Sequence, residues 1–221
     1  MPEATDETQR IRAYYRDASW RPSPGRSYLV SEWTGLVESV LAERGSNLSA
    51  TRVCDVGCGA GSDLRRWKTL GVPEAQLSGT ELISERADAA QRALPDATIE
   101  RVDSFEVPFG DGAFDLVTAS LVFSSVIDSD GRKALAAEMR RVTRPGGLIA
   151  VYDFRIRKPW NRHVRPVHER DLASSLGPPW RRYAVSPFLP LLDITLRLPS
   201  PIARRLMRVL PRTHRVWMWR A

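Results

Sequence analysis

The sequence predicts an α/β fold in which a mostly parallel sheet carries helices on both faces. Three observations lead to this prediction. Between residues 53 and 154, short β-prone apolar runs alternate with segments of helical periodicity. A glycine-rich turn, Gly57-Cys-Gly-Ala-Gly, joins the first such run to the first such helix. An acid, Glu81, closes the next apolar run about 20 residues further on, as in nucleotide-binding βαβ units.

The predicted elements of the core follow one another in the order expected of this class. They are strand 53–56, helix 63–70, strand 77–82, helix 84–94, strand 98–102, strand 113–120, helix 132–142 and strand 148–154. We expect Ser84 to cap the second helix and Pro145-Gly-Gly to turn the chain into the fifth strand. Two further strands, 180–186 and 214–220, complete a predicted sheet of seven strands.

The segments that flank this core are predicted to belong to the same single domain, 1–221. Residues 1–47 predict a helical lid and a helix leading into the core, since 29–41 has apolar residues at helical spacing. Residues 48–154 form the predicted core, and 155–221 an acceptor-binding loop, an insertion and the last strands. The insertion, 187–212, is rich in Pro, Leu and Arg without clean periodicity. Its second half could form a short basic amphipathic helix that rests on anionic lipid or covers a sheet edge.

Composition and charge narrow the class of protein. No apolar run approaches the ~20 residues of a membrane span, and the first residues lack the basic and apolar regions of a signal peptide. Both cysteines, Cys54 and Cys58, lie in the motif 53–61, and two cysteines without a histidine cluster form neither a zinc site nor a disulfide framework. We therefore predict a cytoplasmic protein.

The net charge of +7 is uneven, because 15 basic and three acidic residues fall in 155–221. A basic C-terminal third favours an anionic substrate, a membrane surface, nucleic acid or simply a solvated surface.

The glycine-rich turn predicts a cationic ligand. Asp55 stands just before the turn, where a pyrophosphate would meet repulsion, and no Gly-Lys-Ser/Thr follows, so a P-loop is excluded. The ligand that suits an acid in this place is a sulfonium compound with an α-amino group. Glu81 occupies the position at which such folds bind ribose.

Five stretches together resemble a known family across residues 10–175. They are Val53-Cys-Asp-Val-Gly-Cys-Gly-Ala-Gly, Gly79-Thr-Glu-Leu, Arg101-Val-Asp-Ser, Phe114-Asp-Leu-Val and Glu138-Met-Arg-Arg-Val-Thr-Arg-Pro-Gly-Gly. In this order and spacing they resemble the class I S-adenosylmethionine-dependent methyltransferases, which are Rossmann-like. The resemblance implies S-adenosylmethionine as cofactor, with the exocyclic amine of adenine on Asp103. The residues expected to bind it are Asp55, Gly57, Cys58, Gly59, Gly61, Glu81, Leu82, Asp103, Ser104 and Ser120.

The acceptor is predicted from a narrower resemblance. The runs around Trp20-Arg-Pro-Ser-Pro-Gly, Phe123-Ser-Ser and Tyr152-Asp-Phe-Arg resemble a bacterial subgroup associated with polysaccharide and glycolipid biosynthesis. This implies methylation of a sugar or glycan hydroxyl, which requires a base at the carboxyl edge of the sheet. The candidate bases are Asp153, His163 and His168, with Glu169 weaker and His214 expected to serve packing. The expected acceptor contacts are Tyr14, Tyr15, Arg155, Asn161 and Arg165.

Several alternatives stay open from the sequence. The acceptor could be a small lipid, polyketide or quinone bound against the apolar insertion. An RNA methyltransferase is disfavoured because no Asn/Asp-Pro-Pro-Tyr/Phe motif follows the fourth strand, so no nucleic acid is expected. A cofactor-binding pseudoenzyme is also open. Asp128 and Asp130 would suit Mg2+, but a helix cap is favoured and no metal is predicted. The expected partners are a glycan acceptor and an anionic membrane surface, and the expected state is a monomer or homodimer.

Overall fold

The computed structural model describes residues 6–16, 23–157 and 161–221. Its strands are β1 (Val53–Val56), β2 (Leu77–Glu81), β3 (Thr98–Arg101), β4 (Phe114–Ser120), β5 (Thr143–Phe154), β6 (Arg181–Pro187) and β7 (Arg212–Arg220). They form one sheet in the order β3-β2-β1-β4-β5-β7-β6. Strands β1 to β5 are parallel, and β7 lies antiparallel between β5 and β6. The predicted seven-stranded, mostly parallel sheet is confirmed.

Helices cover both faces of the sheet. They are α1 (Asp6–Arg16), α2 (Pro24–Glu43), α3 (Ser62–Leu70), α4 (Ser84–Ala93), α5 (Ser129–Val142), α6 (Glu169–Leu176), α7 (Leu189–Thr195) and α8 (Ser200–Val209). One buried cluster joins the sheet to α2, α3 and α4, and a second joins its other face to α5 and α6. In the described ranges, no helix combines the length and the apolar character that a membrane crossing requires.

Strand β5 shows how the sequence supports two cores at once. Ile149 and Val151 belong to the cluster beneath α5 and α6, whereas Ala150 and Tyr152 belong to the cluster beneath α2 and α3. Successive strand residues point to opposite faces, so a continuous apolar run is what a sheet covered on both sides needs. The antiparallel β7 continues both layers, because Trp217 packs on one side and Met218 on the other.

Three local predictions require correction. Ser84 is the first residue of α4 rather than its cap, because Ile83 has extended backbone and its N–H donates to the Glu81 carboxylate. Pro145-Gly-Gly lies inside β5 and forms no turn before it. That strand extends towards its amino end because the Gly146 N–H donates to the carbonyl of Ala221. The insertion, for which no periodicity was expected, forms the two helices α7 and α8.

A buried arginine fixes the loop that follows β5. The Arg132 side chain is fully buried on α5, and its guanidinium donates to the carbonyls of Val126, Arg165 and Pro166 and to the Asp171 carboxylate at 2.6 Å. A buried guanidinium with all of these partners is stabilising, since desolvation of an unpaired charge would be costly. The 161–168 loop is therefore held against α5, beside the carboxyl edge of the sheet.

Candidate functional site

The glycine-rich turn after β1 is shaped by backbone that only glycine adopts without strain. Gly57 has φ +71° and Gly59 has φ +55°. A Cβ on Gly57 would lie 2.6 Å from Val122 Cγ2, whereas a Cβ on Gly59 would meet no atom within 4 Å. The Gly59 N–H donates to Glu81 Oε2 at 2.8 Å, which ties the turn to the end of β2. The turn therefore packs tightly on one side and leaves open space on the other.

Three buried carboxyl groups gather at this turn. Asp55, Asp63 and Glu81 are all at least 92% buried. Burial raises the pKa of Asp55 well above its usual range, and the charges of Asp63 and Glu81 add to the effect. Burial also raises the pKa of Asp63 to about 6 and that of Glu81 above its ordinary value. Within the described ranges none of the three forms an ion pair. A cationic ligand at this cluster would favour the ionised form of these carboxyls.

The cavity beside the turn is mostly apolar. Its lining comes from the ends of β1 and β2, the chain after β3 and β4, and one residue each of α1 and α5. These residues are Ile11, Val56, Gly57, Thr80, Glu81, Leu82, Val102, Ser104, Phe105, Glu106, Val107, Val122, Ser125, Val126 and Leu135. An apolar slot with the buried carboxylate of Glu81 at its end can hold a flat ring and bind the hydroxyls of an attached sugar.

Helix α1 closes this cavity as a lid. Ile11 packs into the core at the cavity wall. The Arg12 guanidinium donates to the carbonyls of Leu82 and Val102 at 3.3 and 2.9 Å. The Glu7 carboxylate accepts the backbone N–H of Asp128 at 3.2 Å, and Tyr15 Oη lies 2.6 Å from Ser125 Oγ. The lid is therefore bonded to the chain that follows β2, β3 and β4. The enclosed space of about 60 Å³ is below the usual several hundred Å³ of a ligand pocket, so α1 must move for a ligand to enter.

A strained residue marks the same edge. Leu121, directly after β4, has φ +59° although it carries a side chain. Its N–H donates to the Tyr152 carbonyl at 2.8 Å, and its carbonyl accepts from the Ser125 hydroxyl. Left-handed backbone at a residue other than glycine costs free energy and concentrates at functional sites. Here it carries Val122 over Gly57 and turns the chain into the cavity wall.

These features fit S-adenosylmethionine. The open space over Gly59 admits a close ligand, the carboxyl cluster suits the sulfonium and ammonium charges, and the apolar slot suits adenine. In open α/β sheets, ligands bind at the switch point where this loop lies. Residues 54–151 match a family model described as a methyltransferase domain. This domain implies S-adenosylmethionine as the cofactor.

Named relatives agree with this class. The chain is 29% identical over 154 residues to methyltransferase GfsG of Streptomyces halstedii, and this alignment covers 66% of this chain and 54% of that protein. It is 39% identical over 85 residues to a demethylmenaquinone methyltransferase of Parafrankia sp., and this alignment covers 38% of this chain and 32% of that protein. The chain thus spans about half or less of the length of these two relatives.

A solved structure shows the same fold along the whole chain. Geranyl diphosphate C-methyltransferase from Streptomyces coelicolor A3(2) superposes with a TM-score of 0.70 at 14% identity, covering 100% of this chain and 99% of that one. At this identity the likeness concerns the fold alone.

The predicted cofactor residues fall into two groups. Gly57, Glu81, Leu82 and Ser104 line the cavity, and Asp55, Gly59 and Gly61 shape or charge the turn beside it. The other three residues do not line the cavity. Cys58 is buried against Gly79, Ser120 lies beside the Asp63 carboxyl, and Asp103 is exposed just outside the lining. The roles of all ten residues stay predictions.

Asp153 lies deepest of the three predicted bases. It is fully buried, and its two carboxylate oxygens accept the backbone N–H groups of Ser124 and Phe154 at 2.9 and 2.8 Å. Burial raises the pKa of Asp153 to about 6. The carboxylate therefore fixes the loop after β4 and can change protonation near neutral pH.

The other predicted acceptor residues separate into two places. Tyr14, Asn161 and His163 form one cluster beside the lid. The Tyr14 and His163 rings stack with centroids 4.5 Å apart, and Asn161 Nδ2 donates to Tyr14 Oη at 2.8 Å. Arg155 and His168 line a separate open cavity of about 440 Å³, with Arg170 and Arg215. His168 precedes α6 as its cap.

The remaining predicted residues have these positions. Tyr15 is part of the lid helix α1, and the guanidinium carbon of Arg86 lies 4.8 Å from the centre of its ring. The Arg165 backbone N–H donates to the Ser124 carbonyl, and its guanidinium lies 3.9 Å from the Asp171 carboxylate. His214 is buried and stacks on Tyr152, as a packing residue does. Trp20 and the rest of 17–22, which belong to the predicted N-terminal segment 1–47, lie outside the described residues.

The acidic pair considered for Mg2+ has structural partners. Asp128 caps α5 by accepting the Gly131 N–H at 2.6 Å, and Asp130 pairs with Lys133 at 2.7 Å. Sequence reasoning missed the buried position of Asp63 beside Asp55, the hydrogen bonds that Arg12 makes from the lid, and the left-handed turn at Leu121. Each depends on residues distant in the chain, so no local pattern could reveal it.

Proposed function

We propose that this chain transfers the methyl group of S-adenosylmethionine to a hydroxyl oxygen of a small acceptor with an apolar body, such as a lipid, polyketide or quinone. The observation that carries the proposal is the lidded pocket lined by Glu81, beside the buried carboxyls of Asp55 and Asp63, within the segment that matches a methyltransferase domain. When bound, the cofactor supplies a methyl group activated by its sulfonium. The protein supplies position, exclusion of water and a proton acceptor.

The proposed cofactor contacts follow the cavity. Glu81 accepts hydrogen bonds from ribose hydroxyls, and Gly57 and Gly59 allow close approach of the methionine portion. Asp55 and Asp63 balance its positive charge. Leu82, Phe105 and Val107 enclose adenine, and Ser104 contacts it, with Asp103 reaching it from outside.

The proposed proton acceptor is Asp153 or His163. A hydroxyl becomes a good nucleophile only as its proton is taken, and a group with a pKa near the working pH does this best. Asp153 meets that condition through its raised pKa. His163 lies beside the lid with Tyr14. His168, at the separate cavity, is better placed to bind a distal part of the acceptor with Arg155.

The apolar acceptor is supported by the comparisons, since one matched relative is named as a demethylmenaquinone methyltransferase. A sugar or glycan hydroxyl is the second candidate. It is supported by the cluster of Tyr14, Asn161 and His163, because two rings and an amide are suited to a polyhydroxylated ligand.

Incubation with S-adenosylmethionine labelled on the methyl group tests the proposal. The acceptor mixtures are a quinol and polyketide extract, a glycolipid extract and a delipidated polysaccharide fraction. We expect alkali-stable label in the first, as an ether, and loss of it in Gly59→Ala. Label only in glycolipid or polysaccharide would select the sugar acceptor. No transfer to any fraction, with cofactor binding intact, would contradict the methyltransferase proposal.

A further inference from the structure

The insertion before β7 presents an unusual surface. Six large aliphatic residues of α7, α8 and their connection are 36% to 74% exposed. Elsewhere in the described residues, Ile156 is the only large hydrophobic side chain that is exposed to this extent. The six are Leu191, Ile194, Leu198, Ile202, Leu206 and Val209. We name these residues the aliphatic patch.

The spacing of the patch groups its residues along α7 and α8. On α8, Ile202, Leu206 and Val209 follow at intervals of four and three, and residues at these intervals share a helix face. On α7, Leu191 and Ile194 are three residues apart, and Leu198 lies in the connection after that helix. Adjacent faces of the two helices are used inside the protein, because Leu192, Thr195 and Ala203 are buried. The patch is thus an outer face that the chain's own fold leaves uncovered.

Positive charge borders the patch. Arg204, Arg205 and Arg208 are exposed on α8, and Arg197 follows α7. None of the four forms an ion pair within the described ranges. At 100° per residue, Arg205 lies next to the stripe of Ile202, Leu206 and Val209, and Arg208 and Arg204 continue from it around the exposed side of the helix. Asp193, the acidic residue of this segment, accepts hydrogen bonds from the Gly25 N–H and the Ser23 hydroxyl.

We propose that α7 and α8 dock this protein on an anionic lipid surface. The aliphatic side chains enter the boundary between headgroups and acyl chains, and the arginines meet lipid phosphates. The charges decide against a second copy of the chain, since a two-fold contact through this patch would bring eight arginines together. Nucleic acid would pair with the arginines but leave the aliphatic stripe in water.

The docking surface is tied to the edge that holds the lid. Asp193 Oδ1 accepts the Gly25 N–H at 2.8 Å, and its Oδ2 accepts the Ser23 hydroxyl at 3.2 Å. Both donors lie at the start of α2, the helix that follows the lid in the chain. Docking would therefore set the lid side of the protein near the bilayer. The inference does not depend on the acceptor's identity.

Co-sedimentation of the full chain with vesicles tests the proposal. One set contains phosphatidylcholine with phosphatidylglycerol, and the other phosphatidylcholine alone. We expect binding to the mixed vesicles that falls with added salt, and little binding to the neutral set. The double variant Arg204→Gln/Arg205→Gln should reduce partitioning roughly 25-fold, about fivefold per charge. Ile202→Asn/Val209→Asn should reduce it at least tenfold, since aliphatic burial is lost.

The matched control is Arg92→Gln/Arg140→Gln, which removes two exposed arginines far from the patch and should bind as the parent does. All variants change exposed side chains, and equal melting temperatures and S-adenosylhomocysteine affinity would show intact folds. The proposal is overturned if the parent ignores mixed vesicles, or if both patch variants bind as well as the control. Dimerisation of the lipid-free parent that Ile202→Asn/Val209→Asn abolishes would instead assign the patch to a second copy.

Discussion

Gly59 and Gly45 share a left-handed backbone but differ in what faces them. Their φ angles are +55° and +69°, and a Cβ on either would meet no protein atom within 4 Å. Alanine at either position should therefore lower the free energy of unfolding alike, by about 1–2 kcal/mol. Only Gly59 adjoins the carboxyl cluster, so only Gly59→Ala should weaken S-adenosylhomocysteine binding. Calorimetry of both variants measures this, and equal affinities would place the cofactor elsewhere.

Asp63 should make cofactor affinity depend on pH. Burial raises its pKa to about 6 in the free protein, so below that pH the carboxyl increasingly carries a proton. A cationic ligand favours the ionised form. Affinity for S-adenosylmethionine should therefore rise by up to about tenfold per pH unit below roughly pH 6, and ionisation of Asp55, whose pKa burial also raises, should extend the rise above that pH. Titration calorimetry from acid to neutral pH measures the profile. Asp63→Asn should flatten it, and an unchanged profile in that variant would remove Asp63 from the ligand charge balance.

At the scale of elements, α1 should control how long the cofactor stays. Arg12 bonds the lid to the chain after β2 and β3, and charged hydrogen bonds of this kind contribute about 1.5–3 kcal/mol. Arg12→Ala should accelerate S-adenosylhomocysteine dissociation by at least tenfold, with a smaller change in association. Arg16→Ala is the matched control, because Arg16 is exposed on the same helix. Stopped-flow displacement gives the rates, and identical rates in both variants would refute a lid role for α1.

For the whole molecule, ligand binding should appear as stability. A ligand at a hundred times its Kd stabilises the native state by about 2.7 kcal/mol, which for a chain of this size raises Tm by roughly 5–11 °C. S-adenosylhomocysteine should produce this shift. Methylthioadenosine at the same concentration should produce a much smaller one, because it lacks the ammonium group that balances the carboxyl cluster. Thermal denaturation with each compound compares them, and equal shifts would show that the carboxyl cluster contributes no selectivity.

The charge distribution also belongs to the whole molecule. The basic excess lies in residues 155–221, and the structure divides it among different surroundings. Arg182 pairs with Glu169 and Arg181 with Glu43, whereas the arginines of α8 form no ion pair in the described ranges. The net charge alone indicated an anionic partner, and only the placement of the charges shows which surface would meet it.

The sequence by itself determined the sheet, its order of elements and the class of cofactor. These features could be predicted because strand periodicity, the glycine-rich turn and the acid that follows it are local patterns. Each of them is visible within a short stretch of the chain. The sequence also indicated a helical lid and a short amphipathic helix in the second half of the insertion.

Only the tertiary structure decided how the site is assembled. It brought Asp63 to Asp55 and Glu81, bonded Arg12 to two strand ends, and separated His168 from Tyr14 and His163. It also corrected Ser84, whose position is set by the Glu81 carboxylate. These outcomes depend on contacts between residues far apart in the chain, whose geometry follows from packing of the two cores, and no local spacing encodes that packing.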